Sequence, residues 1–312
     1  MNDVKSLSEK VKKRRLFEFI LDVARGFAIG VAFIIPGFSG GSIAAILGIY
    51  EKLVGAVADI FKIFIKSFLT LLPIGIGMIL GVVSLLFPLG WALSNFPFPT
   101  VCIFVGLAVG GLPSITDKTQ GKIKVSNIFA FIIPFLFAAL LSALPTGADV
   151  NLFNLNFGGY VLLVLIGVLG SSALVIPGIS GSMLLLILGY YNPIIELITK
   201  HLFAFRDVSV SLAVLGSVAL GIGAGFVGIS VIMKTLLAKY PRGTYIAILG
   251  FILGSIPTIY ISVAKDSGYT LETLPTSPVY WAVCVLMLAV GFAISFSLVV
   301  LSKKEKNEKL PF

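Results

Sequence analysis

The sequence predicts an all-α polytopic membrane protein made of two inverted-topology repeats. Each repeat combines a Pro-Gly-broken, re-entrant helical hairpin with three transmembrane helices. Three observations predict this. Of 312 residues, 58% are hydrophobic and 12% charged, and the mean hydropathy is +1.08. A motif of Gly, Pro and Ser recurs 141 positions apart, and the cationic loops change sides between the two halves.

An ordinary soluble domain carries about 25% charged residues, because its surface must be polar. Apolar runs recur here from Leu16 to Leu301, so lipid is the solvent for most of the chain. This excludes a soluble enzyme, a disordered protein and a disulfide-stapled secreted domain. The net charge of +9 is no argument for nucleic-acid binding on such a chain; its distribution matters more.

Residues 1–15 include Lys5, Lys10, Lys12, Lys13, Arg14 and Arg15 ahead of an apolar stretch. A signal peptide would continue into a compact apolar core and a small-residue cleavage site. Glu18, Asp22 and Arg25 interrupt this one. The segment reads as a cytoplasmic basic lead-in to the first membrane element.

The repeat is explicit. Ile35-Pro36-Gly37-Phe38-Ser39-Gly40-Gly41 matches Ile176-Pro177-Gly178-Ile179-Ser180-Gly181-Ser182, and Ile46-Leu47-Gly48-Ile49-Tyr50 matches Ile187-Leu188-Gly189-Tyr190-Tyr191. At an offset of 144, Gly77, Gly81, Gly106, Gly110 and Pro113 match Gly221, Gly225, Gly250, Gly254 and Pro257. Because these residues are not interchangeable in the way Leu, Ile and Val are, the chain divides into repeat 1 (16–145), a linker (146–157), repeat 2 (158–301) and a tail (302–312).

The elements follow in order. Repeat 1 has apolar segments at 16–57 (broken at Pro36–Gly41), 68–88, 98–115 and 127–145. Repeat 2 has them at 158–199 (broken at Pro177–Ser182), 209–233, 244–263 and 279–301. The unbroken ones approach the roughly 20 residues of a spanning helix. Each broken one offers a first arm, a turn, and a return arm of about 16 residues, the span of a hairpin turning at depth.

Charge sets the orientation. Loop 116–127 carries Lys118, Lys122 and Lys124, whereas its counterpart 264–278 has one lysine and two acids. Loop 89–97 is uncharged, whereas 234–242 carries Lys234, Lys239 and Arg242. Cationic loops mark the cytoplasmic face, so the repeats are inverted, as in many secondary transporters. Both termini then lie inside and the linker 146–157 outside. Of the 23 Lys and Arg, 19 fall inside, three outside, and Arg25 stays at the membrane. A hairpin that turns at mid-membrane or one that reaches across gives the same parity.

Cys102 and Cys284 lie in apolar runs and read as small buried hydrophobes. Neither has a His or Cys at ligand spacing, so no metal or cofactor is expected. His201, beside Lys200, reads as an interfacial residue.

The broken hairpins are the candidate site. Irregular backbone at membrane depth is tolerated where it is buried in protein or lines a cavity. Proline ends the first arm, the glycines permit a tight turn, and Ser39, Ser42, Ser180 and Ser182 are placed to cap the return arm. A helix N-terminus favours an anion, above all a phosphate. The candidate substrate-binding residues are Arg25, Pro36, Gly37, Ser39, Gly40, Gly41, Ser42, Pro177, Gly178, Ser180, Gly181 and Ser182. Intramembrane charge is functional by default. Arg25 suits an oxyanion or an ion pair with Asp22. Asp22 and Glu51 are candidate coupling carboxylates, and Lys52 reads as a snorkelling side chain. Gly77/Gly81, Gly106/Gly110 and their counterparts read as packing positions.

Gly26–Ala44, with Leu47-Gly-Ile-Tyr-Glu51 after it, resembles the signature of the polyprenyl-phosphate transporter family. Val175–Ser182 with Leu188–Tyr191 resembles that family's second copy. The resemblance covers about residues 20–300. It departs where the family carries Asp or Asn before the first Pro-Gly, here Phe33–Ile34, and Thr after Gly-Gly, here Ser42, which keeps the hydroxyl. It implies a plasma-membrane flippase that returns undecaprenyl phosphate from the outer to the cytoplasmic leaflet for envelope synthesis. The phosphate head would sit at the turns and the tail in the bilayer, with proton or ion coupling through Asp22 or Glu51. Competing readings are a membrane undecaprenyl-diphosphate phosphatase, a secondary transporter of a small soluble anion, and a scaffold. A phosphatase needs an activated nucleophile or base beside the turns, and none is spaced there.

Overall fold

The computed structural model describes residues 2–35, 39–122, 124–141, 143–202, 207–269 and 273–308, with side chains from 16 to 300. Among these residues there are helices and no strand. Six helical stretches are long and apolar enough to cross a membrane: Phe64–Asn95, Pro97–Thr119, Phe157–Val175, Val208–Lys239, Pro241–Asp266 and Pro278–Val300.

In the first half of the chain, α1 is Asn2–Ile34, α2 Gly40–Ile46, α3 Tyr50–Ala58, α4 Phe64–Asn95, α5 Pro97–Gly111, α6 Pro113–Thr116 and α7 Val125–Leu141. In the second half, α8 is Phe157–Val175, α9 Gly181–Ile187, α10 Tyr191–Glu196, α11 Val208–Lys239, α12 Pro241–Asp266 and α13 Pro278–Glu308. A 3-10 turn, Asp117–Thr119, extends α6, and a π-helical segment, Leu197–Leu202, extends α10.

Two expectations about length change. The helices α4 and α11 each run 32 residues, well past 68–88 and 209–233. In the last turn of α4, Ser94 donates to the Gly90 carbonyl and Asn95 to the Trp91 carbonyl, i to i−4 bonds that keep these polar side chains on the helix. The return arms, expected as single helices of about 16 residues, are instead broken after seven. Gly48 and Gly189 take φ of +70° and +77°. The amides of Gly48 and Ile49 donate to Ala45 and Ala44, and those of Gly189 and Tyr190 to Leu186 and Leu185. This is a Schellman cap at both places. In repeat 2, α9 and Tyr191–Leu202 meet at 109°.

Packing pairs α1 with α4 and α8 with α11, and then crosses between repeats: α5 packs on α13 and α7 on α12. Glycines make these contacts. A Cβ at Gly77 would overlap the Val23 carbonyl, and one at Gly221 the Val164 carbonyl, 141 residues on. A Cβ at Gly106 would overlap Leu288, and one at Gly250 Phe131. Corresponding positions thus do corresponding work in the two repeats. Gly77→Val should force α1 from α4, costing about 1–3 kcal/mol. A lowered thermal midpoint in detergent is the expected readout. Gly75→Val should leave the midpoint near wild type, because a Cβ at Gly75 meets nothing within 4 Å.

The segments near 51–59, 118–122 and 234–242 gather at one end. Lys234 pairs with Asp59, and Arg242 donates from all three guanidinium nitrogens to the carbonyls of Thr119, Gly121 and Lys122. The Lys234 ammonium holds the Asp59 carboxyl below the usual carboxylate range. What that pair contributes is therefore present above Asp59's unfolded pKa and lost as pH falls through its folded one.

Candidate functional site

The segment that follows the first Pro-Gly motif meets the second break inside the bundle. A Cβ at Gly41 would lie 3.2 Å from the Val175 carbonyl oxygen and 3.4 Å from the Pro177 nitrogen, so the start of α2 abuts the second break. The chemistry of the join follows from proline. In a continuous helix the Ala173 carbonyl would accept from residue 177, but Pro177 has no N–H. Ser39 supplies the missing donor, its Oγ lying 3.2 Å from that oxygen. Tyr50, at the start of α3, donates its hydroxyl to the Val175 carbonyl at 2.9 Å. Both bonds are buried and both run from repeat 1 to repeat 2.

The serines divide. Ser180 caps α9, accepting from the Met183 amide at 3.4 Å, and lies 3.1 Å from the Ser182 hydroxyl. Ser39 makes no side-chain cap on α2; its hydroxyl is committed across the interface. Ser42 Oγ is buried, at 2% exposure, and has no hydrogen-bond partner among the described residues. Gly178 has φ +81° and packs against the Phe251 backbone of α12. Gly40 packs against Phe33, and Gly181 against Gly170 and Ala173. Pro36 and Gly37 lie outside the described residues. At seven residues each, α2 and α9 are too short for a full helix dipole, so the polarity of the breaks rests on hydroxyls and irregular backbone.

Arg25 is not with these serines. Ten residues of α1, about 15 Å, separate it from Ile35. Its Nη1 lies 3.3 Å from Asp22 Oδ1. Lys52, expected to snorkel, pairs with Asp22 Oδ2 instead. Asp22 is 4% exposed, so one buried carboxylate faces two cations. Glu51 joins a different group. Its Oε1 accepts from Lys118 at 2.8 Å and from the Tyr245 hydroxyl, and Lys118 lies over the Tyr245 ring. The sequence alone gives Tyr50, Lys118 and Tyr245 no place in the site. The repeated Gly-x-Tyr motif pointed at Tyr50, but its partner lies 125 residues away.

The two return arms differ in environment. Every residue of α2 is buried, whereas no residue of α9 is. Beside the α9–α10 bend, a cavity of about 310 Å³ is lined by Thr146–Asp149 and by Leu186, Gly189, Tyr191 and Asn192. The linker crosses this bend, with the Gly147 amide donating to Leu186 and the Val150 amide to Gly189. Asn192 donates to Asp149 at 3.2 Å.

Residues 29–273 match a family described as undecaprenyl phosphate translocase-like. The chain is 30% identical to a Staphylococcus aureus polyprenyl-phosphate transporter, over 89% of this chain and 95% of the relative. It is 23% identical to a Vibrio cholerae polyprenyl-phosphate transporter, over 91% and 97%. No solved structure matches.

Proposed function

The chain belongs to the undecaprenyl phosphate translocase-like family, and from that premise we propose that it moves undecaprenyl phosphate from the outer to the cytoplasmic leaflet of the plasma membrane. It is a transporter and not an enzyme, as its relatives are named. The observation that carries the proposal is the meeting of the segment after the first Pro-Gly motif with the second break inside an apolar bundle, with Ser42 buried and unpartnered beside them. A phosphate head is too costly to carry through hydrocarbon alone. The breaks offer it hydroxyls and irregular backbone while the polyprenyl tail remains in lipid. In this reading Ser39, Ser42, Ser180 and Ser182 form the head site, with the glycines allowing close approach.

The finer layout is part of the same proposal. The repeats are inverted and the hairpins re-entrant, 1–15 and 302–312 are cytoplasmic, and 146–157 is extracytoplasmic. The gathering of 51–59, 118–122 and 234–242 at one end supports it. The unequal burial of α2 and α9 suits one end state of alternating access, with the second hairpin open and the first closed. Recycling of the lipid carrier for envelope synthesis is the role this transport would serve.

Glu51, tied to Tyr245 and Lys118, is the leading coupling carboxylate, with Asp22 second. Glu51→Gln should remove the response of lipid transfer to a pH gradient across proteoliposomes; an unchanged response assigns coupling elsewhere. A soluble-anion transporter would accumulate radiolabelled inorganic phosphate in the same vesicles. The proposal predicts uptake no faster than in protein-free vesicles, and accumulation would overturn it.

A further inference from the structure

The two hairpins share glycines, prolines and serines but not charges. At the repeat offset, Asp22 corresponds to Leu163, Arg25 to Ile166, Glu51 to Asn192 and Lys52 to Pro193. Leu163 and Ile166 are buried where α8 packs on α11, the counterpart of α1 on α4. The hairpin architecture therefore forms without ionic groups at these positions. Burying a carboxylate is costly, and an ion pair there is weak evidence of a stabilising role. Something other than folding explains charges at the mouth of the first hairpin alone.

The stoichiometry there points to an anion. One buried carboxylate, Asp22, holds two cations whose side chains remain 26% (Arg25) and 43% (Lys52) exposed. Arg25 uses Nη1 on Asp22, which leaves most of its planar fork for an oxyanion. The other acids nearby are Glu18, one turn before Asp22 and exposed, and Glu51, bound to Lys118 and Tyr245.

We propose that Arg25 and Lys52 form a second phosphate station at the mouth of the first hairpin, which takes the monoester head of a prenyl phosphate as it leaves the breaks. This rests on the transport reading above and divides its path into two stations about 15 Å apart along α1. At the corresponding positions the first mouth is cationic, whereas the second offers Leu163, Ile166 and Pro193. The asymmetry hastens departure towards one face without supplying net driving force.

The test uses the full chain in nanodiscs and a short prenyl monophosphate carrying a diazirine on its first isoprene unit. Cross-linked peptides are mapped by mass spectrometry. Wild type should label near residues 22–25 and 52 as well as near 39–42 and 180–182. Arg25→Gln with Lys52→Met should lower labelling at the mouth by about tenfold, the scale of lost charge-assisted hydrogen bonds, and leave labelling at the breaks unchanged. Asp22→Asn, which frees both cations, should raise labelling at the mouth. A fall in Asp22→Asn matching that of the double variant would mark a merely structural ion cluster and overturn the station. Unlabelled prenyl phosphate should protect the mouth and prenyl alcohol should not. Protection by inorganic phosphate with none by prenyl phosphate would overturn the lipid-head assignment. Labelling at the breaks without the mouth sinks this station alone; labelling at neither sinks the transport reading too.

Discussion

Tyr50→Phe should make a cysteine placed at Ala45, buried here, accessible to a membrane-permeant thiol reagent. The Val175 carbonyl sits at a buried helix end and accepts from the Tyr50 hydroxyl. Loss of that donor leaves a buried acceptor unpaired, at a cost of about 1–3 kcal/mol, or roughly 5- to 150-fold in a two-state equilibrium. The repeat supplies a counterpart. Tyr191 occupies the place of Tyr50, Ser180 that of Ser39, Ala32 that of Ala173 and Ile34 that of Val175. Pro36 denies the Ala32 carbonyl its i+4 donor, as Pro177 does for Ala173. In the opposite end state Ser180 and Tyr191 would take these carbonyls while Ser39 and Tyr50 release theirs. Tyr191→Phe should then act in reverse, raising the reactivity of a cysteine at Leu186 and further protecting one at Ala45. The same direction of change for both tyrosines would contradict this exchange.

Ser42→Ala should separate binding from stability. Removing a hydroxyl that has no partner should leave the thermal midpoint unchanged or higher, since a buried unsatisfied group is a cost to the fold. If that hydroxyl awaits a phosphate oxygen, affinity for a prenyl phosphate should fall by about tenfold while affinity for the corresponding alcohol holds. Ser39→Val and Ser180→Val should also weaken phosphate binding, but with a stability loss, because each hydroxyl has a structural bond. Unaltered phosphate affinity in Ser42→Ala would return the breaks to packing.

Much of this fold is legible in one sequence because its markers are residues with single physical uses. Gly77, Gly106 and their counterparts are glycine because backbone stands where a Cβ would be, and Pro177 is visible as a break because it cannot donate. The return-arm bend was equally readable at Gly48 and Gly189, whose Leu-Gly-x-Tyr context is a helix C-cap. Partners across repeats were not readable. Nothing local ties Tyr50 to Val175 or Tyr245 to Glu51, bonds that cross between the halves, and nothing local ties Lys52 to Asp22, which lie 30 residues apart on α3 and α1. Arg25 illustrates the limit: its chemistry suited the turn serines, but helix geometry places it at the mouth.

The most direct test is the rate at which undecaprenyl phosphate crosses from the outer to the inner leaflet of proteoliposomes holding the purified chain. The account predicts transfer well above the protein-free rate, slowed in Ser42→Ala. Transfer at the protein-free rate, by a chain that is folded and correctly inserted, would contradict it.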